Sequence, residues 1–486
     1  MRFFVSPALH RGSARLLVAV LLAACSEPAV GPVRRSVSLA IGSSRNAVPV
    51  SGRHVFLFDA GIPGDFESRV RGKGGRVERA DDDVALAVTE DLSDADASIV
   101  GKGATVVHDF TARWVPTPEE LRLSADALSA SITSESVAGT SLQAPQLAAY
   151  LPFQWPLRQI QALDAWNAGF DGNPSVRVAI LDSGLDPRHL DQASFVGHVP
   201  LIDQASSIAF ETSKAPVGPA WGDDFFHGTF VGGIVTSNNV GTAGVVPNVT
   251  LIAVKVLTDS GKATFSNVLR GILHAAHVHA NIANMSLGAY VQKSDPETKG
   301  VIAIFNRVMS YAHRNGVLLV SSSGNENVDL QHTGNVVAVP CEVGVGLCVS
   351  ATTASDERAS YSNYGSNAID LAAPGGDGPP ERAATQWIIG LCSSLTTLPA
   401  LAGCTVLDPR LHVGVGYIWA TGTSASAPFV SGLAAYLESQ PGASTDPSQV
   451  IAALKRYADD LGKPGTDPYF GKGRINVLRT LSRVTP

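Results

Sequence analysis

Four short stretches of this 486-residue chain place side chains where acyl-transfer chemistry needs them. In TGTSASAPFVSGLAAYLE, Thr421 to Glu438, a small-residue turn carrying Ser424 runs into an apolar helix. A serine at a helix N-terminus lies beside unpaired backbone N–H groups and the positive end of the helix dipole, so negative charge forming next to it is stabilised. Gly422 allows close backbone approach, Ala425 and Ala427 keep bulk away from the hydroxyl, and Pro428 is tolerated in the first turn. A nucleophilic serine also needs a base, a carboxylate to orient that base, and donors for the oxyanion. His227 in FHGTFVGGIV, Asp182 at the end of SVRVAILD and Asn325 at the end of GVLLVSSSGN can fill those roles, with the Ser424 N–H as second oxyanion donor. Taken singly, each has a plainer reading: a helix cap, a helix-initial histidine, a strand-end carboxylate, a turn former.

The elements that must position them follow from periodicity. SVRVAILD (175–182), LIAVKVL (251–257), ANIANMSLG (280–288) and GVLLVSSSG (316–324) are apolar runs that read as buried strands. Phe265, Leu269, Ile272 and Ala276 line one face of an intervening helix, and Val301, Phe305, Val308 and Ala312 one face of another. Buried strands joined by helices predict an α/β fold with a parallel sheet covered by helices on both faces. Such sheets bind ligands beyond the carboxyl ends of their strands, where Asp182, Ser286, Gly288 and Asn325 fall. The esterase turn G-x-S-x-G is absent. His274, His277 and His279 read as solvated cations at a helix C-terminus rather than metal ligands.

Upstream, residues 1–25 read as an export signal: Arg2, Arg11 and Arg15 precede the apolar run LLVAVLLAA, too short to span a membrane. Its end, Leu22-Ala23-Ala24-Cys25, resembles the lipobox of bacterial lipoproteins, which implies lipidation of Cys25 and an envelope location, with release or secretion after processing. Four cysteines then remain, which allow three connectivities; short-range pairing, Cys341 with Cys348 and Cys392 with Cys404, is the one expected. Residues 26–51 read as a flexible tether. Residues 52–115 show strand-helix-strand-strand-helix-strand order, a small ferredoxin-like α+β domain without a catalytic constellation. Residues 116–150 read as a linker with one short helix, Glu119 to Ala130, and 151–486 as the large α/β domain. A net charge of -7, with charged residues only 16% of the chain, lacks the basic footprint of a nucleic-acid binder.

The order Asp, His, Ser and the motifs AILDSGLDPRH, HGTFVGGIV, S-G-N and GTSASAP resemble those of the subtilisin-like (subtilase) serine proteases. The resemblance covers about residues 155–480. It implies a serine endopeptidase with Asp182, His227 and Ser424 as triad and Asn325 in the oxyanion hole. It also implies two extended edges that hold the substrate backbone, Ser286-Leu287-Gly288 and Ser323-Gly324. Residues 52–115 resemble the subtilase propeptide, which assists folding and occupies the cleft as an intramolecular inhibitor. Protein or peptide substrates are implied, and no cofactor; the segment from His227 to Pro247 is tighter than in relatives with a calcium loop there, which leaves any structural calcium at an unknown position. Residues 375–416 form an insertion expected to be a disulfide-pinned surface loop near the cleft. The rival readings are an esterase or acyltransferase using the same residues, and a catalytically inactive envelope binding module on a protease fold.

Overall fold

A strand that starts inside the expected tether opens the computed structural model, which describes residues 47–117, 144–194, 200–211, 218–405 and 414–484. The signal segment, Cys25 and the helix expected at 119–130 lie outside the described residues. The N-terminal module runs β1 (Val48–Phe58), α1 (Phe66–Gly72), β2 (Arg76–Asp81), β3 (Leu86–Glu90), α2 (Asp94–Val100) and β4 (Ala104–Arg113). Its antiparallel sheet has the order β2-β3-β1-β4. Strand alternation sends Phe56, Phe58 and Ala87 to one face, where they pack with Phe66, Val70 and Val100 of α1 and α2. The opposite face, with Val55, Leu57, Val88 and Val107, merges into the core of the large domain.

That large domain is built on β5 (Arg177–Asp182), β6 (Ile208–Ala209), α3 (His227–Val235), β7 (Thr250–Lys255), β8 (Lys262–Thr264), α4 (Phe265–His277), β9 (Ile282–Met285), β10 (Ala289–Gln292), α5 (Thr298–Arg314), β11 (Leu318–Ser322), β12 (Val336–Val339), β13 (Leu347–Thr352), β14 (Leu371–Pro374), β15 (Ile388–Leu391), β16 (Tyr417–Ala420) and α6 (Thr423–Glu438). Its sheet follows the order β14-β13-β11-β9-β5-β7-β6, with neighbouring strands parallel. The expected α/β architecture is therefore present, its strands buried end to end as runs of Val, Ile, Leu and Ala require. Helix α4 packs on α5, and α3 on α6.

The short β8 pairs antiparallel with the end of β4, Thr111–Arg113 against Thr264–Lys262, so the large domain adds a fifth strand to the module's sheet. All described residues fall in one compact unit, Val37–Pro486. Both expected disulfides form, Cys341–Cys348 and Cys392–Cys404. The described part of the insertion, pinned by Cys392–Cys404, includes regular structure as well as exposed loop. It folds into the β15–β16 hairpin, buries Trp387, Cys392 and Cys404, and anchors itself through Ser393 Oγ to the Asp223 carbonyl and Ser394 N to Asp186.

Candidate active site

Three elements converge at the carboxyl end of the large sheet. Asp182 closes β5, where Val256 N and Leu257 N donate to its carbonyl and Ser183 N to its carboxylate at 2.7 Å. His227 is the first residue of α3, and its Nδ1 lies 2.9 Å from both Asp182 oxygens. Both side chains are fully buried. The first turn of α3 packs tightly on the loop after β5: a Cβ on Gly228 would sit 2.0 Å from the Gly184 carbonyl oxygen. Asp223 caps α3 by accepting from Thr229 N at 2.8 Å, and also accepts from Ser183 Oγ. Burial pushes its carboxyl up to about 6 against the pull of those hydrogen bonds and of Lys255.

Ser424 is the second residue of α6, behind Gly422 at φ 155°. Its Oγ donates to the Ser286 carbonyl at 3.3 Å, and Ser286 Oγ donates back to the Ser424 carbonyl at 2.9 Å. Asn284 Nδ2 holds Ser286 Oγ and accepts through Oδ1 from Ser431 Oγ, which locks the end of β9 onto α6. Asn325 Oδ1 accepts from Thr423 N at 2.8 Å and Thr423 Oγ1 at 2.9 Å, which turns its Nδ2 donors away from Thr423. Gly324 N donates to Thr423 Oγ1, and Ser323 N to the Val349 carbonyl. The structure thus joins Asp182 to His227, Ser424 to Ser286, and Asn325 to the turn before Ser424. His227 Nε2 is buried and makes no hydrogen bond, so the imidazole and the serine hydroxyl are not bonded in this state.

The edge predicted at Ser286-Leu287-Gly288 carries backbone from the N-terminal module. Trp114 N donates to Gly261 O at 2.9 Å, and Gly288 N donates to Trp114 O at 2.8 Å. The Trp114 ring is buried against Phe305, and its Nε1 donates to Ala263 O. The second edge contacted by this segment is thus Gly261–Thr264; the pairings and hydrogen bonds described for it involve no atom of Ser323 or Gly324.

Sequence reasoning missed Lys255. Its ammonium, wholly buried, pairs with Asp224 at 2.6 Å and donates to the Ser183 and Leu257 carbonyls, tying together the loops that carry Asp182 and His227. A lysine inside LIAVKVL, with two adjacent aspartates before His227, was the available signal. His274 also departs from its expected solvated state: it is half-buried, bonds Ser206 O at 2.7 Å, and burial lowers its pKa. Among the described residues, two groups have the donor sets to hold a metal, His54–Asp94–His108 and Asp81–Asp83–His277, and neither includes Asp182, His227 or Ser424.

A parallel sheet whose carboxyl edge gathers a carboxylate-held histidine and a helix-initial serine places the molecule among the α/β serine hydrolases. Residues 173–473 match the model of the Subtilase family. The chain is 30% identical to thermitase of Thermoactinomyces vulgaris over 68% of its own length and 95% of that protein. It is 30% identical to subtilisin E of Bacillus subtilis over 66% and 69% of the two chains. Among solved structures it resembles the epidermin leader peptide processing serine protease of Staphylococcus aureus in fold, with a TM-score of 0.66 at 18% identity, covering 89% of this chain and 98% of that one. The chain belongs to the subtilase family and is a serine endopeptidase.

Proposed function

We infer that Asp182, His227 and Ser424 are the working triad. The observation that carries this is the buried His227 ring, gripped at Nδ1 by Asp182 with Nε2 left unbonded, on a helix packed against the one that presents Ser424. With Nδ1–H donated to Asp182, Nε2 holds the lone pair and can take the Ser424 proton as Oγ attacks the peptide carbonyl. Asn325 Nδ2 and the Ser424 N–H then stabilise the oxyanion, His227 returns the proton to the leaving amine, and a water molecule, deprotonated by the same Nε2, hydrolyses the acyl-enzyme. Proteins or peptides entering in extended form are the substrates, their backbones paired along Ser286–Gly288.

The N-terminal module is read as an intramolecular inhibitor, supported by Trp114 lying between Gly261 and Gly288, two residues from the carbonyl that holds the Ser424 hydroxyl. The export signal and Cys25 support a lipid-anchored envelope precursor; among the described residues no helix is long and apolar enough to cross a membrane. Cleavage between Val115 and Phe153 would free the large domain from that anchor. Mass spectrometry of the mature N-terminus tests this, and a lipidated Cys25 on the same polypeptide as Ser424 would refute release. Ser424→Ala tests the triad: peptide hydrolysis and self-processing should be abolished with the fold intact. Wild-type turnover in that variant would sink the assignment, and a wild-type chain inert toward all peptides would favour the inactive binding module.

A further inference from the structure

We propose that the N-terminal module carries a divalent-metal site, suited to Zn2+, formed by His54 Nε2, His108 Nε2 and the Asp94 carboxylate, with a catalytic-domain carboxylate, Glu297, as its outer partner. His54 and His108 face each other across β1 and β4 in direct register, so both rings project from one side of the sheet. Their centroids are 4.9 Å apart. Asp94, the first residue of α2 behind the Ser93 cap, reaches between them: its Oδ1 is 3.0 Å from His108 Nε2 and 3.3 Å from His54 Nε2. All three ligand atoms lie within 4.8 Å of one another. Bonds of about 2.0–2.1 Å at tetrahedral angles around zinc place neighbouring ligand atoms about 3.3 Å apart. The Asp94–His108 and Asp94–His54 edges, 3.0 and 3.3 Å, fit that spacing.

The partners around His108 suit the site as well. His108 points Nδ1 at Glu297 Oε1, 2.6 Å away, and Nε2 at Asp94, while its backbone N–H donates to Glu297 Oε2 at 2.7 Å. With an ion bound, Nδ1–H would donate to Glu297 while Nε2 gives its lone pair to the ion, the carboxylate–histidine–metal arrangement of natural sites. His54 Nδ1 makes no hydrogen bond, so nothing forces the tautomer that would block Nε2. Asp94 is exposed, which gives an entry path and room for a water as fourth ligand. The second cluster, Asp81–Asp83–His277, is a poorer fit: it has a single imidazole, separations of 3.2 and 3.9 Å, and a Tyr311 hydroxyl already donating to Asp83. Glu297 immediately precedes α5, so an ion at His108 would fix the module to the catalytic domain.

The test uses the full chain carrying Ser424→Ala, stripped with chelator and titrated with ZnCl2 by calorimetry at pH 7.5. One zinc per chain is expected. His54→Gln, His108→Gln and Asp94→Asn should each weaken it by at least roughly 100-fold, Glu297→Gln by about 10-fold, and His277→Gln not at all. Loss of binding in His277→Gln alone, or equal binding in all variants, overturns the proposal, as does absence of zinc binding by the parent chain. Co2+ substitution in the parent needs no ligand variant to fold: an intense tetrahedral visible absorption supports the site, and only the weak octahedral bands would overturn it. Neither readout depends on hydrolysis, so failure of the triad assignment and failure of the metal site are told apart.

Discussion

Lys255, buried, and Arg53, partly buried, are both cations surrounded by acceptors, but they hold different things. The Lys255 ammonium is enclosed by Asp224 and the Ser183 and Leu257 carbonyls, all of the large domain: the first two lie in the loops beside His227 and Asp182, and the third just beyond Lys255 itself. Arg53 gathers Glu78, Glu90 and Asp109 within the N-terminal module and extends a donor to Ser266 Oγ across the seam. Asp109 completes the bridge, accepting from Ser266 N at 3.0 Å and Ser266 Oγ at 2.7 Å in the first turn of α4. The first cluster is satisfied whether or not the module is docked. The second is complete only in the docked state, because separation returns the first turn of α4 to water. A cluster internal to the large domain and one that spans the seam are thus built from the same chemistry, distinguished by which side of the seam supplies the acceptors.

The sharpest way to break this contrast is Lys255→Met. It leaves Asp224 buried without its counter-charge and should destabilise the full chain by about 3–5 kcal/mol in denaturant titration. A loss below about 1 kcal/mol would mean that Asp224 finds solvent, and that the Lys255 cluster is no more permanent than the seam. Within the centre, Asn325→Ala should lower kcat by about 10²–10³ with stability little changed, the range known for loss of such a donor in a subtilisin. An unchanged kcat removes Asn325 from the oxyanion hole. At the seam, Asp109→Ala should act locally: amides in the first turn of α4 should exchange roughly 5- to 30-fold faster in the Ser424→Ala chain, the equivalent of about 1–2 kcal/mol. Equal exchange would show that Thr264, whose Oγ1 already accepts from Asn267 N, caps the helix unaided.

What could be read in the sequence was whatever short-range pattern encodes. Asp182 and Asn325 follow apolar runs that can only be buried strands, and Ser424 follows a glycine and opens a helix, so each declares its own position. The module's element order was legible for the same reason, although β1 starts at Val48 rather than after the tether. What stayed hidden depends on partners distant in the chain. Lys255 has no partner within its own strand, because Asp224, its counter-ion, comes from another loop. The pairing of β4 with β8 unites segments about 150 residues apart, and nothing local in Lys262-Ala263-Thr264 marks them as an edge. His54 and His108 share a register that only the folded sheet creates. The anchoring of Ser393 and Ser394 in the insertion was equally invisible, since their partners, Asp223 and Asp186, lie far upstream.

Glu438, at the far end of the Ser424 helix, supplies the converse of Lys255: a buried charge site without a counter-ion. Its Oε2 accepts from Asn281 Nδ2 at 2.9 Å, while Oε1 is buried and unbonded. Burial, only partly opposed by the Asn281 hydrogen bond, lifts its carboxyl from 4.5 to about 8. The folded chain therefore holds a proton that the unfolded chain releases between those values, so Glu438 makes stability fall as pH rises through that window, with no contribution to the slope below it and none above. Glu438→Gln keeps an acceptor for Asn281 and removes the titration. The variant's advantage over the parent should thus be greater at pH 8 than at pH 5 by about 1–2 kcal/mol, well short of what the full shift would give because Asn281 and local relaxation share the cost. Thermal unfolding of the Ser424→Ala chain with and without Glu438→Gln, across pH 5 to 9, measures this directly. Parallel profiles would mean that the carboxyl reaches water in the folded state, and that the C-terminal end of the helix is looser than the end that presents Ser424.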